Sequence, residues 1–351
     1  MSLTLIHKTA FLLSADMARL LLLSLLCIVL FAANLFLGPV NIPFEDVLNA
    51  LFGAGHDSTY AYIIRETRFP KAVTALMGGV ALAVSGLLLQ TMFSNPLADA
   101  SILGINSGSS LGVAVVMLCL GGAVTTSVFS LSGFLLILAA AFIGSVLVTG
   151  MLLVVSSFVR NPLMLLIVGI MTSYVTSSFI SLLNFTSTAE GVHSYIIWGL
   201  GNFSGVPLSH LSAFSLVIIA ALLGAITLIK PLDALLLGEN YAANLGVSIR
   251  GVRFRLLAVV GVLTAVVTAY CGPIAFVGLA VPHMARLLTG RTTHRVLFPV
   301  TLLLGGAIAL FCNVVCNLPG DSGIIPLNVV TPLFGVPVIL YVLFHKQQLS
   351  A

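Results

Sequence analysis

Eight charge-free apolar runs follow one another along the chain, parted by short polar stretches: 20–44, 72–98, 100–159, 161–189, 191–229, 256–285, 296–320 and 322–344. Each exceeds the ~20 residues that a helix needs to cross a bilayer. Turn residues divide them further. Gly38-Pro39 closes a first span at 20–37, and a second span covers 72–92. Between these lies a connector, 41–69. It holds a short amphipathic helix at 44–52, entered through Pro43 with Glu45 and Asp46 in its first turn. Residues 94–99, SNPLAD, form a turn. Spans three and four cover 102–120 and 131–155, split around Gly121-Gly122, and Arg160-Asn161-Pro162 marks the next turn. Span five is 163–183. A polar connector, 184–209, carries Glu190 and Trp198, and span six is 211–229.

The run 256–285 poses a parity problem. Crossing once, it would put Arg286, Arg291 and Arg295 on the opposite side from Arg250, Arg253 and Arg255. Crossing twice needs ~40 residues, and the run has 30. A full span at 256–270, a break at Gly272-Pro273 and a shortened span at 274–288 reconcile the two. A short, irregular crossing is tolerated only where other helices shield it or where it faces a water cavity. Spans nine and ten cover 297–315 and 326–344. The expected fold is therefore an all-α polytopic membrane protein of ten transmembrane helices, one shortened, forming a single permease domain over 1–351.

Charge placement supports this count. Eleven of the 14 Lys and Arg residues fall on the side of the N-terminus, and only Arg65, Arg68 and Lys71 fall on the other. Basic residues gather on the cytoplasmic side, so both termini are expected in the cytoplasm. The outer three form one cluster against the rule. Composition adds little: 59% hydrophobic and 7% charged excludes a soluble domain of ordinary make-up, where roughly 25% is charged. The net charge of +4 gives no reason to expect nucleic acid. The five cysteines lie in or beside apolar runs without a CxxC pair or nearby ligating partners, so neither a metal nor a disulfide is expected.

The polar segment 230–255, KPLDALLLGENYAANLGVSIRGVRFR, holds six of the chain's 24 charged residues between two spans. Its Ala- and Leu-rich inner part suits one or two short helices. Pro231 sits in the first turn of one, and Gly238 and Gly246 stand where helices would stop. A compact, helix-prone, partly apolar insert looks built to fit a partner's cleft. A basic loop that only holds orientation would account for the arginines alone.

Apart from Arg286 near the end of the shortened span, no Asp, Glu, Lys or Arg falls inside a proposed span, which counts against ion-coupled secondary transport. No phosphate-cradling G-x-x-x-x-G-K-[ST] motif occurs, so ATP, if it drives the protein, is hydrolysed by another polypeptide. Gly104, Gly108 and Gly112, and Ala75, Gly79 and Ala83, repeat at four and read as close helix contacts. Span five is dense in hydroxyls, with Thr172, Ser173, Thr176 and Ser177 among them. These either line a wet pathway or bond back to their own helix. His283 and His294 read as part of a cytoplasmic interface loop.

Several stretches together resemble the FecCD-type permeases, membrane subunits of ABC importers for iron–siderophores, haem and cobalamin. They are Arg68-Phe69-Pro70-Lys71, GGVALAVSGLLLQ at 78–90, Asn95-Pro96-Leu97-Ala98, Leu103-Gly104, Ser107-Gly108, Gly238-Glu239 with Ala242 and Leu245-Gly246, GPIAFVGL at 272–279, Pro282-His283, Arg286, His294-Arg295 and Pro299. The resemblance implies a functional homodimer with its path at the two-fold axis, in a bacterial inner membrane. It implies two cytoplasmic ABC ATPase subunits, which carry ATP-Mg, and a periplasmic or lipid-anchored substrate-binding protein. No cofactor is expected in this chain. The ATPase-docking set is Asp233, Leu237, Gly238, Glu239, Ala242, Leu245 and Gly246. The binding-protein docking set is Arg65, Arg68 and Lys71, and the cytoplasmic gate holds Asn95 and Leu97. The cargo is expected to be a bulky metal chelate, a ferric siderophore first, with haem and cobalamin as the others. An ion-coupled transporter or facilitator is the alternative. Relatives often carry a third outer basic residue where Asn317 stands, and an acid before the Pro of the last span, where Ile325 stands; Asp321 is a possible substitute for that acid.

Overall fold

The computed structural model describes residues 3–52, 59–119, 131–159, 161–318 and 323–348. Gly121-Gly122, Arg160 and Asp321, singled out in the sequence, lie outside the described residues. Those described form fifteen helices joined by turns, with no strand among them. In chain order these are α1 (Leu3–Phe36), α2 (Phe44–Phe52), α3 (Thr59–Tyr62), α4 (Phe69–Met92), α5 (Ile105–Ala114), α6 (Leu131–Phe158), α7 (Pro162–Thr186), α8 (Ala189–Gly199), α9 (Leu208–Ile226), α10 (Ile229–Leu235), α11 (Glu239–Asn244), α12 (Ile249–Cys271), α13 (Val277–Thr289), α14 (His294–Asn317) and α15 (Leu327–Gln348). A π-helical stretch, Ile63–Arg68, runs α3 into α4, and another, Val115–Cys119, extends α5.

Among the described residues, seven helices are long and apolar enough to cross a membrane, and Ile105–Cys119 and Leu327–Val342 are shorter apolar helices. Helix α13, at 13 residues, is only ~20 Å long at 1.5 Å per residue. It lies where the parity argument places a shortened span, and it starts at Val277 because 272–276 is irregular, with Gly272 and Phe276 at positive φ. Three boundaries differ from the sequence reading. The 184–209 connector contains α8, capped by the Thr188 hydroxyl accepting from the Gly191 N–H at 3.3 Å. The rod of α4 is built back to Thr59 through the π-helical stretch. Helix α12 begins at Ile249, so Arg250, Arg253 and Arg255 stand on helix rather than in a loop.

Helix α4 is the hub of the bundle and is buried over most of its length. Small residues let its neighbours come to backbone contact. A Cβ on Gly86 would run into the carbonyl of Gly278 in α13, and one on Gly79 into the carbonyl of Gly305 in α14. The Gly108 and Gly112 stripe packs on Gly144 and Ala140 of α6 in the same way. Between two lipid-embedded helices there is little hydrophobic gain, so such close packing supplies the adhesion. Around this core, α1, α6, α7, α9 and α15 each turn a row of large apolar side chains outward.

The break at 272–276 needs its main-chain polar groups satisfied at membrane depth. Asn328, in the first turn of α15, does this. Its Oδ1 accepts from the Ala275 N–H at 3.2 Å, and its Nδ2 donates to the Pro273 and Gly199 carbonyls at 2.6 and 3.0 Å. One side chain therefore joins the ends of α8, α12 and α13 to α15. The shielding expected from the sequence is present, but the residue that supplies it was not legible there.

Candidate functional site

The inner part of the 230–255 segment folds as the sequence suggested, into two short helices, α10 and α11, and its last residues enter α12. Gly238 and Gly246 both have positive φ, 103° and 82°, where a side chain would strain the backbone. Leu232 and Ala242 are buried and hold the loop to the bundle. Leu236, Leu237, Tyr241 and Leu245 are exposed. Four bare apolar side chains on a segment between membrane helices fit a complementary surface better than water. Asp233 and Glu239 point inward to the bundle. Glu239 Oε1 accepts from Arg253 Nη2 at 3.1 Å, and Arg253 Nη1 donates to the Val159 carbonyl at 2.9 Å. Asp233 Oδ1 accepts from the His294 main-chain N–H at 2.6 Å and from its ring Nδ1 at 2.8 Å. The loop is thus strapped to α12 and α14.

Beside the loop lies the turn that follows α4. A cleft of about 420 Å³ separates them, lined on one side by Ser94, Asn95 and Pro96 and on the other by Leu235, Gly238 and Glu239. The Asn95 side chain accepts from the Leu97 N–H at 2.9 Å, which closes the turn, and the Leu97 side chain is exposed. Asn95 of the expected gate pair and Gly238 and Glu239 of the expected docking set therefore line one cleft. Asp99 ends the turn and is buried. Its Oδ2 accepts from the Ser101 hydroxyl at 2.7 Å, and its Oδ1 occupies the space that a Cβ on Gly278 would take. Burial pushes the Asp99 carboxyl above the usual carboxylate range, against the lowering effect of the Ser101 hydroxyl and the Ala100 and Ser101 N–H groups.

Sequence reasoning missed the residues that hold this turn. His283 and His294 are buried, not part of an exposed interface loop. His283 Nε2 donates to the Pro96 carbonyl at 2.8 Å. His294 Nε2 lies 2.8 Å from the Thr91 hydroxyl. Arg286 Nη1 donates to Gln90 Oε1 at 2.6 Å, and Gln90 Nε2 donates to the Leu279 carbonyl at 3.1 Å. The sequence singled them out as part of the family resemblance, with no hold on the turn assigned to them.

On α7, the hydroxyls of Thr172, Ser173 and Thr176 donate to carbonyls of their own helix, three or four residues back. Thr176 is buried and Ser177 is exposed. Ser173 Oγ also lies close to Gly104, at the crossing with α5. The packing role is therefore present for three of the four, and Ser177 faces outward with Tyr174 and Ser178.

At the opposite end of the bundle, Arg68 is buried and donates to the carbonyls of Leu35, Phe36 and Val40, which it holds together after α1. Arg65 Nε donates to the Ala50 carbonyl at 2.7 Å, securing α2. Lys71 Nζ donates to Asn317 Oδ1 at 2.8 Å. Asn317, near which the resemblance would place a third outer base, is thus an acceptor for Lys71. Lys71 also lines an outer cleft of about 340 Å³ with Asn202, Ser204 and Asn313.

Membrane-length helices around a glycine-packed hub, an irregular break sealed by Asn328 and a strapped loop with bare apolar side chains mark a polytopic membrane protein. The chain belongs to the FecCD transport family, whose model matches residues 25–345. The vitamin B12 import system permease protein BtuC of Vibrio parahaemolyticus is 33% identical over 286 residues, 81% of this chain and 83% of that one. The protein of the same description from Vibrio vulnificus is 30% identical over 331 residues, 94% of this chain and 95% of that one. Among solved structures, an inward-facing conformation of a metal-chelate-type ABC transporter superposes with a TM-score of 0.80 at 27% identity, over 93% of this chain and 98% of that one.

Proposed function

We propose that this chain is the membrane-spanning permease of a binding-protein-dependent ABC importer and carries a bulky metal chelate inward. Two copies form the path, each crossing the inner membrane ten times with both termini in the cytoplasm. A cytoplasmic ATPase subunit seats on the loop 233–246 of each copy and supplies the ATP-Mg chemistry. A periplasmic or lipid-anchored binding protein delivers cargo to the outer face, oriented by Arg65 and Lys71, with Arg68 setting the shape of that face. Exposed ion pairs contribute little affinity singly, so these residues act on orientation and association rate.

The observation that carries this reading is the docking loop. It exposes Leu236, Leu237, Tyr241 and Leu245 and is bonded inward through Asp233 and Glu239 beside the 94–99 turn. Such a loop suits a push or pull from a soluble partner, and the chain has no nucleotide motif of its own. The relatives named for vitamin B12 make cobalamin the first cargo to test, ahead of a ferric siderophore or haem. The decisive experiment reconstitutes the permease with its ATPase and binding protein in proteoliposomes. Cyanocobalamin, ferrichrome and haemin are then compared for stimulation of ATP turnover and for uptake. One of the three is expected to stimulate both. Accumulation by the purified chain alone, driven by an ion gradient, would overturn the proposal.

A further inference from the structure

The docking helix α10 and the turn 94–99 are joined by a continuous line of hydrogen bonds, buried at its centre where His294 meets Thr91. Asp233 on α10 accepts from His294 Nδ1–H, and His294 Nε2 meets the Thr91 hydroxyl. Thr91 lies in the last turn of α4. Its carbonyl accepts from the Ser94 N–H at 3.1 Å, and the Gln90 carbonyl accepts from the Asn95 N–H at 3.1 Å. Ser94 itself has a φ of 46°, a conformation that a non-glycine residue adopts only when held there. We infer that His294 is a positioning residue that transmits displacement of α10 to the end of α4, and through it to the 94–99 turn. This deepens the reading above by assigning the route from loop to gate.

Two observations separate this role from ordinary capping. Capping of α14 is already met by Asp233, which accepts from the His294 main-chain N–H at 2.6 Å. The ring bond to Thr91 adds nothing to that cap; it spans from α14 to α4. The Asp233 carboxylate accepts from Nδ1–H, which leaves Nε2 facing the Thr91 hydroxyl, whose one proton is shared between Nε2 and the Leu87 carbonyl 3.0 Å away. The His294 ring is 1% exposed, so both of its nitrogens depend on these protein partners. The turn is also gripped from α13, through Arg286 to Gln90 and His283 to the Pro96 carbonyl. It is therefore held between one group of residues tied to the docking helix and another tied to the irregular crossing. Sliding α10 relative to α13 must alter the turn. The Glu239–Arg253 strap runs instead to the Val159 carbonyl at the end of α6.

Thr91→Val tests this, because it keeps shape and leaves the Asp233–His294 cap intact. Spin labels at Leu97 and Leu163, placed in a cysteine-free chain, report the width of the cleft in the permease–ATPase complex with and without ATP-Mg. The parent complex is expected to change this distance on adding ATP-Mg. In Thr91→Val and His294→Asn the change should be lost or at least halved, and Thr91→Ser should restore it. In proteoliposomes, chelate taken up per ATP should fall about fivefold in Thr91→Val, the equivalent of ~1 kcal/mol of coupling, with ATP turnover retained. A parent-like distance change in Thr91→Val, even with a lowered melting temperature, overturns the inference, as does a parent complex in which ATP-Mg leaves the distance unchanged. A parent complex that shows the change but takes up none of cyanocobalamin, ferrichrome or haemin sinks the cargo reading and leaves this one standing.

Discussion

Single residues at close approaches and breaks set the tolerance of this molecule to change. Gly86 has the Gly278 carbonyl where a Cβ would go, and backbone cannot yield as a flexible side chain can. Gly86→Ala is expected to destabilise by ~1–3 kcal/mol, the usual cost of overpacking, read as a lower melting temperature in detergent. Asn328→Leu should be comparably damaging, since it strips partners from the main chain of Gly199, Pro273 and Ala275 at ~1–3 kcal/mol for each unsatisfied buried group. Asp99 offers a test by pH. Its folded carboxyl holds its proton more tightly than the unfolded one, so stability is greatest below the usual carboxylate range and declines as pH rises through the raised value. Asp99→Asn keeps an acceptor for Ser101 and should flatten that decline, measured as melting temperature against pH. Gly86 was legible in a small-residue segment. The place of Asn328 was not, because its partners lie 53, 55 and 129 residues away.

Among the elements, the docking loop was the most legible. Its Gly and Pro positions and its apolar content are local properties, and α10 and α11 lie where these predicted. The three arginines after it were read as loop residues, whereas α12 takes them up and buries Arg253. Arg253 is buried and Glu239 is 43% exposed, so the pair straps α11 to α12 at the rim of the bundle. Glu239→Arg would set two guanidinium groups against each other. It is expected to abolish chelate uptake while leaving the isolated binding protein's affinity for the chelate unchanged. Gly246→Pro should do the same, since φ is 82° there and proline requires about −65°. Uptake assays in proteoliposomes, paired with binding measurements on the soluble partner, check both. Normal uptake in these two variants would leave the docking assignment without support.

For the molecule as a whole, the outward apolar rows on α1, α6, α9 and α15 meet lipid or a second copy, and α7 adds an exposed stripe that includes Tyr174, Ser177 and Ser178. If that stripe borders the proposed path, Ser177→Cys should react with a water-soluble maleimide in intact vesicles. A residue facing acyl chains would stay unmodified. Hydropathy, turn residues and charge placement are enough to specify a helical membrane protein, its break at Gly272-Pro273 and its shortened crossing, because each depends on neighbours within one helix length. Only the packed bundle decided that Arg68 gathers the carbonyls after α1, that Lys71 meets Asn317, that Asn328 seals the break, and that His294 stands between α10 and α4. A buried hydrogen bond takes its partner from whichever helix is brought alongside, and no local pattern in the chain encodes that neighbour.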